Sequence, residues 1–358
     1  MGGGIGDSIL CLPIIRKLQA QFQETFVVFY CDRNLTPILS TLENVKLRFL
    51  DTQWWDSELQ CVKSAVSDCS LIIWNRFEAD NDGKCNYFYA NDSRWIDFVR
   101  EKRDLYSKNL SLELKRPIGD LEEEGHSGLM LELAYDSNYF SDWNRFGLDV
   151  GYDDVFMSVP EEIEEKHDRL ISSLGKYAIF HDSRLPVLGH TCEHWIKCWY
   201  IERWNELVSR VKEDFECEVV QIISGQNPRF EGAVLHPDII GRTTSFFDYL
   251  CLLRHSFLYV GTDSWPAHAS VFLPDTSFVI LKGASVRRWD HFGKYSSVVR
   301  RGNCQGCEYI SLDKCVFGRG SRICMESIKV DDVIEEAVQS LKKNLPTKEV
   351  ERSLVYLQ

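Results

Sequence analysis

The chain has 358 residues and a formal net charge of −13 at neutral pH. That length suits two domains better than one core. With 44% apolar and 27% charged residues the composition excludes a disordered chain, and the acidic balance excludes a broad electrostatic footprint for nucleic acid.

No run of about 18 apolar residues occurs, so no membrane-spanning helix is expected. The opening MGGGIGDS lacks a basic region followed by a long apolar one, so no secretory leader is expected either. The 13 cysteines are odd in number. Four cluster late in the chain, and others such as Cys11, Cys31 and Cys251 sit singly in apolar runs. Buried thiols plus one metal-like cluster fit a reducing cytoplasm better than a disulfide framework.

In chain order, Leu10, Ile14, Leu18 and Phe22 recur at helical spacing. Pro13 must lie in the first turn of that helix or kink it, because it has no N–H to donate. Residues 26–31, 45–50 and 70–74 read as short buried strands. Residues 76–125 are polar and aromatic without a long apolar period, and read as loops and helices decorating the first domain. The passage between domains falls at 149–168, where Pro160 opens an acidic helix.

The second half repeats the strand-helix logic. Residues 176–181, 218–224, 257–261 and 277–281 read as strands. Trp204, Leu207, Val208, Val211 and Phe215 form the apolar stripe of one helix. Ser245 and Asp248 make a capping box for another over 246–254, and a terminal helix runs from Val330 to Leu345. Strands alternating with helices in both halves imply two doubly wound parallel sheets, one domain over 1–155 and a second over 156–358. In such folds ligands bind beyond the carboxyl ends of the strands.

Three segments carry chemistry. The first is Gly2-Gly3-Gly4-Ile5-Gly6-Asp7-Ser8, leading into an apolar helix. Gly4 and Gly6 let the backbone turn sharply and approach a ligand, and the helix start offers unpaired N–H groups. Asp7 sits at that mouth, either facing a ligand or simply capping the helix. The spacing is not that of a dinucleotide fingerprint after a strand. The second is Lys197-Cys198-Trp199-Tyr200-Ile201-Glu202-Arg203-Trp204, downstream of His181-Asp182-Ser183. Lys197 is either a phosphate anchor on a flexible stem or a solvated lysine. The third combines Gly241-Arg242-Thr243-Thr244-Ser245 with Val260-Gly261-Thr262-Asp263-Ser264-Trp265-Pro266-Ala267-His268. A strand ends there and a helix opens with Pro near its first position. Ser264 and nearby backbone N–H groups would face a diphosphate, Asp263 would accept from sugar hydroxyls, and His268 would sit one turn inside. A capped helix with a packed histidine is the plainer alternative.

Taken in order, these segments resemble glycosyltransferase family 9, the family of the lipopolysaccharide heptosyltransferases. The shared pattern is the glycine-rich turn with Gly-Asp, Lys-x-Trp before a Trp-rich helix, a Gly-[Lys/Arg]-Thr-Ser-like segment, and Asp-Ser-Gly-x-x-His. The resemblance spans nearly the whole chain. It implies an α/β chain of GT-B fold, two Rossmann-like domains facing across a cleft, and metal-independent, inverting transfer of a heptose-like sugar. The donor would be a nucleotide sugar, most often ADP-linked, and the acceptor a glycan or glycolipid, with contact at the inner membrane face. Asp7 would be the general base, Gly4 and Gly6 the acceptor-side turn, and Ser183, Lys197, Thr243, Asp263, Ser264 and His268 the donor site.

The chain departs from that pattern in three places. It starts at the glycine turn, where the family has a preceding central strand. Trp265 stands where the family has Gly, so its side chain must turn from the phosphates or stack on something. The loop from 183 to 197 is longer than usual. These departures leave a second reading, a non-catalytic GT-B relative serving as a nucleotide- or glycan-binding scaffold.

The strongest single spacing is Cys304-x2-Cys307-x7-Cys315-x8-Cys324. A Cys-x2-Cys knuckle with two later thiolates fits a closed tetrahedral site for Zn or Fe, structural because no position stays open. Many members of the family carry a similar cluster. Reduced thiols or disulfides are the alternative.

Overall fold

The computed structural model describes residues 5–21, 27–31, 45–49, 71–73, 88–90, 96–114, 144–145, 147–151, 157–182, 198–222, 228–235, 246–273, 275–283, 296–300 and 323–344. Two compact units emerge, Met1–Val155 with Arg287–Asp290, and Phe156–Val286 with His291–Gln358.

The first unit opens with helix α1, Ile5–Gln21. It starts earlier than the periodicity indicates, so Gly6 and Asp7 lie within its first turn rather than ahead of it. Among its described side chains Leu12, Pro13, Ile14, Ile15 and Leu18 are buried. Pro13 lies inside the helix and removes one backbone bond there. Strands β1 (Val27–Cys31) and β2 (Val45–Phe49) pair in parallel. Strands β3 (Leu71–Ile73) and β4 (Phe88–Ala90) pair antiparallel, a pairing the alternation of strands and helices does not reveal. Helix α2 spans Ile96–Leu114. Asn109 Nδ2 donates to the Arg145 carbonyl at 2.9 Å and fastens the segment that follows.

The second unit holds a five-stranded, all-parallel sheet. Its strands are β5 (Tyr177–His181), β6 (Glu218–Ile222), β7 (Leu258–Thr262), β8 (Ser277–Leu281) and β9 (Ser296–Val299). Their spatial order is β6-β5-β7-β8-β9. Every residue of β5, β7 and β8 is buried, which is why these strands read as continuous apolar runs. The edge strand β9 alternates, with Ser297 and Val299 inward.

Helices cover this sheet. Helix α3, Glu161–Leu174, follows Pro160 and ends at Gly175, whose φ of 62° lies in the left-handed region that glycine tolerates. Helix α4, Ile201–Phe215, buries the stripe Trp204, Leu207, Val208, Val211 and Phe215. Trp204 stacks on Phe230 at 4.9 Å and meets Trp199 edge-on at 5.1 Å. Each such ring removes about 150–250 Å² from water, so this trio anchors the core. Trp199 Nε1 donates to the Ile328 carbonyl at 3.1 Å. Arg203 donates to the carbonyls of Glu326 and Ile328, closing the short helix α7 (Ile323–Glu326) and the start of α8 (Val330–Asn344) onto α4. The tryptophans of the Lys197–Trp204 segment are therefore core residues.

Between them come α5 (Phe246–His255) and α6 (Trp265–His268). Among the described residues no helix is long and apolar enough to cross a membrane.

Candidate functional site

The strand order of the second unit reverses between β5 and β7: the chain goes from β5 outward to β6, then returns to the other side of β5. The carboxyl ends at such a switch point splay their loops apart and leave a crevice. The side chains at the carboxyl ends of three strands here are polar although buried: His181 and Asp182 at the end of β5, Thr262 and Asp263 at the end of β7, and Lys282 after β8, with Ser264 next to Asp263 half-buried.

Two features bring β5 and β7 close at this end. His181 pairs opposite Gly261 in the register. A Cβ on Gly261 would lie 2.1 Å from the Tyr259 hydroxyl oxygen and 2.9 Å from the His181 carbonyl. The Tyr259 phenol occupies that space, so only glycine fits. Burial raises the Tyr259 pKa, keeping the phenol neutral.

The Ser264 hydroxyl then bridges the switch point. Its Oγ donates to the Thr262 carbonyl at 3.1 Å and lies 3.0 Å from His181 Nδ1. Burial pushes the His181 pKa down to about 4, so the ring is neutral at pH 7. One hydroxyl proton serves one acceptor at a time. While it points to Thr262, His181 Nδ1–H donates to Oγ; when it turns to His181, the ring carries its proton on Nε2. Ser264 precedes α6 in the capping position but makes no side-chain cap bond.

Asp263 stands between a lysine and a histidine. Lys282 Nζ is 3.4 Å from Oδ2, and His268 Nε2 is 3.4 Å from Oδ1. The Lys282 side chain is 0% exposed and that of Asp263 5%. A charge pair this dry persists only when each partner compensates the other. The register makes the meeting unavoidable: Thr262 pairs with Leu281, so the next residue on each strand is Asp263 and Lys282. Chemically, the cluster offers a fixed carboxylate acceptor, a neutral hydroxyl-imidazole pair and a buried ammonium, all at one strand edge.

Of the residues singled out from the sequence, Asp263, Ser264 and His268 are brought together here. Asp7 is placed in the first turn of α1. Gly4, Ser183, Lys197, Thr243, Cys304, Cys307 and Cys315 lie outside the described residues. Cys324 is half-buried on α7, with its Sγ 3.0 Å from where a Cβ on Gly283 would stand. Trp265 packs against two rings of α5, tilted on Phe246 at 5.4 Å and edge-on to Tyr249 at 5.5 Å. His181 and Lys282 were not among the singled-out residues. The one signal for Lys282 is a cation set directly behind the apolar run Ser277–Leu281.

No protein-family profile matches the chain, and no curated protein does. Solved structures do. A glycosyltransferase family 9 protein from Veillonella parvula superposes with a TM-score of 0.58 at 13% identity, covering 95% of both chains. The Escherichia coli ADP-heptose lipopolysaccharide heptosyltransferase II gives 0.54 at 14% identity, over 95% of this chain and 96% of that one. The chain has the fold of these glycosyltransferases. A third likeness is to the iron-containing, dodecameric glycosyltransferase TibC of enterotoxigenic E. coli, with a TM-score of 0.55 at 13% identity, over 96% of this chain and 75% of that one. A second TibC structure, in complex with ADP-D-β-D-heptose, gives 0.52. The GT-B likeness implied by the sequence segments thus holds at the level of fold and across nearly the full chain.

Proposed function

We propose that this chain is an inverting glycosyltransferase that moves a heptose-like sugar from an ADP-linked donor to a hydroxyl of a saccharide acceptor. The observation that carries this reading is the buried Asp263–His268–Lys282 cluster at the switch point of a sheet whose structural neighbours include an ADP-heptose transferase and an ADP-heptose complex. In this proposal residues 156–358 bind the donor and residues 1–155 the acceptor, a glycan or glycolipid met at a cytoplasmic membrane face. Asp263 accepts from donor hydroxyls, and Ser264 and His268 line the same site with Ser183 and Thr243. Lys197 meets the charge that builds on the leaving diphosphate, in place of a metal ion. Asp7 takes the proton of the acceptor hydroxyl as it attacks, and Gly4 and Gly6 allow the close approach. Cys304, Cys307, Cys315 and Cys324 hold a structural Zn or Fe ion.

The test is thermal unfolding with ADP, UDP, GDP and dTDP. A nucleotide at a hundredfold its Kd adds about 2.7 kcal/mol to the folded state, a shift of several degrees in Tm. The expected result is a shift with ADP that Asp7→Asn keeps and Asp263→Asn loses. Transfer from ADP-heptose should fail in both. No shift with any of the four would turn the reading to the non-catalytic scaffold.

A further inference from the structure

Helices α3 and α5 pack side by side and bring three metal-ligating side chains to one point. Cys251 and His255 are four residues apart on α5 and so share a face. Glu164 reaches them from α3. Their ligand atoms all lie within 4.8 Å of one another. Glu164 Oε2 is 3.4 Å from Cys251 Sγ and 2.7 Å from His255 Nε2. Its other oxygen, Oε1, accepts from Arg254 Nη1 at 3.1 Å.

We propose that Glu164, Cys251 and His255 form a zinc(II) site that clips α3 to α5, with water as the fourth ligand.

The donor set is one thiolate, one imidazole nitrogen and one carboxylate oxygen, a combination zinc takes readily. In a tetrahedral site with ordinary zinc distances, the oxygen-to-sulfur edge is about 3.5 Å and the oxygen-to-nitrogen edge about 3.3 Å. The first matches the observed separation, and the second needs His255 to withdraw by about half an ångström. His255 has the room, because its side chain is 40% exposed. Arg254 does for Glu164 what outer-shell partners do in metal sites: it holds the idle oxygen and aims the other. Thiolate and carboxylate together cancel the charge of a zinc ion, and the Arg254 cation sits on the far side of the carboxylate.

The order of burial gives an entry path. Cys251 is fully buried at the floor, Glu164 is partly covered, and His255 stands at the mouth. The ligand to zinc is the thiolate, so the Cys251 thiol proton leaves to solvent when the Zn–S bond forms. The neighbouring charges are already matched: Asp248 Oδ1 accepts from Lys166 Nζ at 2.8 Å and lies 2.6 Å from His167 Nε2. This place is at the opposite end of the strands from Asp263. His255 ends α5 just before β7 begins at Leu258, whereas Asp263 follows that strand's last residue. Its role is accordingly structural, and it is separate from the late cysteine cluster.

The experiment strips the full chain with a chelator and titrates it with cobalt(II), read by the thiolate-to-cobalt charge-transfer absorption, and then with zinc(II), read by Tm. The expected result is that His255→Ala and Cys251→Ser each lose one equivalent of cobalt and part of the zinc-induced rise in Tm. Cys304→Ser with Cys307→Ser should keep that equivalent. His255 is at the surface, so its replacement leaves the core intact and decides the matter even if Cys251→Ser folds poorly. Cobalt binding in His255→Ala equal to that of the unaltered chain would overturn the proposal. So would the absence of any thiolate band in the unaltered chain, which would leave the three groups as a hydrogen-bonded cluster only.

Discussion

Replacing Lys282 by Met should destabilise the second unit by about 3–5 kcal/mol, the cost of stranding a buried charge. The Asp263 carboxylate is 5% exposed and the Lys282 side chain 0%. Removing the ammonium therefore leaves a nearly buried carboxylate without its Lys282 partner, with His268 Nε2 still 3.4 Å away. The pair itself need not be a large net gain, because two buried charges first cost their solvation and then recover it from each other. The double replacement Lys282→Met with Asp263→Leu should thus regain most of the lost stability. A cycle of the two single variants and the double one, unfolded in denaturant, measures the coupling. The buried Trp199 and Trp204 report on the same unit. A single Lys282→Met variant that lost less than about 1 kcal/mol would mean that the two charges are not paired in the dry state. If the stability recovers in the double variant while nucleotide binding does not, the pair exists for the ligand and not for the fold.

That pair also explains what the sequence concealed. Strands β5, β7 and β8 were legible because every residue in them is buried, so SFVIL and YAIFH stand out as mainly apolar runs. The edge strand β9 was not, since SSVV is short and buries a serine. Helix α2 was hidden among polar and aromatic residues without an apolar period. Asp263, Ser264 and His268 were visible because a strand, an acid and a helix start follow one another within a few residues. Lys282 lies 19 residues beyond Asp263 on another strand, and only the sheet order makes them neighbours. The same holds for Glu164, whose partners on α5 are 87 and 91 residues away. Alone, Cys251 reads as a plain buried thiol. Local pattern names an element; it does not say which element lies beside it.

The second large effect is one of pH, and it comes from His181. The folded pKa is about 4, below the ordinary 6.5, because the buried ring cannot be hydrated when charged. Between those two values the unfolded chain binds a proton that the folded chain refuses. Stability is thus complete above 6.5, falls as the pH drops through the window, and levels off below about 4. The full difference corresponds to about 3 kcal/mol, and about 2 kcal/mol of it is gone by pH 5. Glu164 acts lower down. Burial would raise its pKa, but hydrogen bonds from His255 and Cys251 and the charges of His255 and Arg254 outweigh this and lower it. Its contribution is therefore lost only as the pH falls below its ordinary 4.5. His181→Gln keeps a polar side chain beside Ser264 but cannot titrate. Denaturant unfolding at pH 7 and pH 5 should show the variant less stable than the unaltered chain at pH 7, with the gap closing by about 2 kcal/mol at pH 5. Parallel losses in the two proteins would assign the pH dependence to other groups. They would also mean that the ring at the switch point takes up a proton as easily as one in water, so that the site is wet where the packing makes it dry.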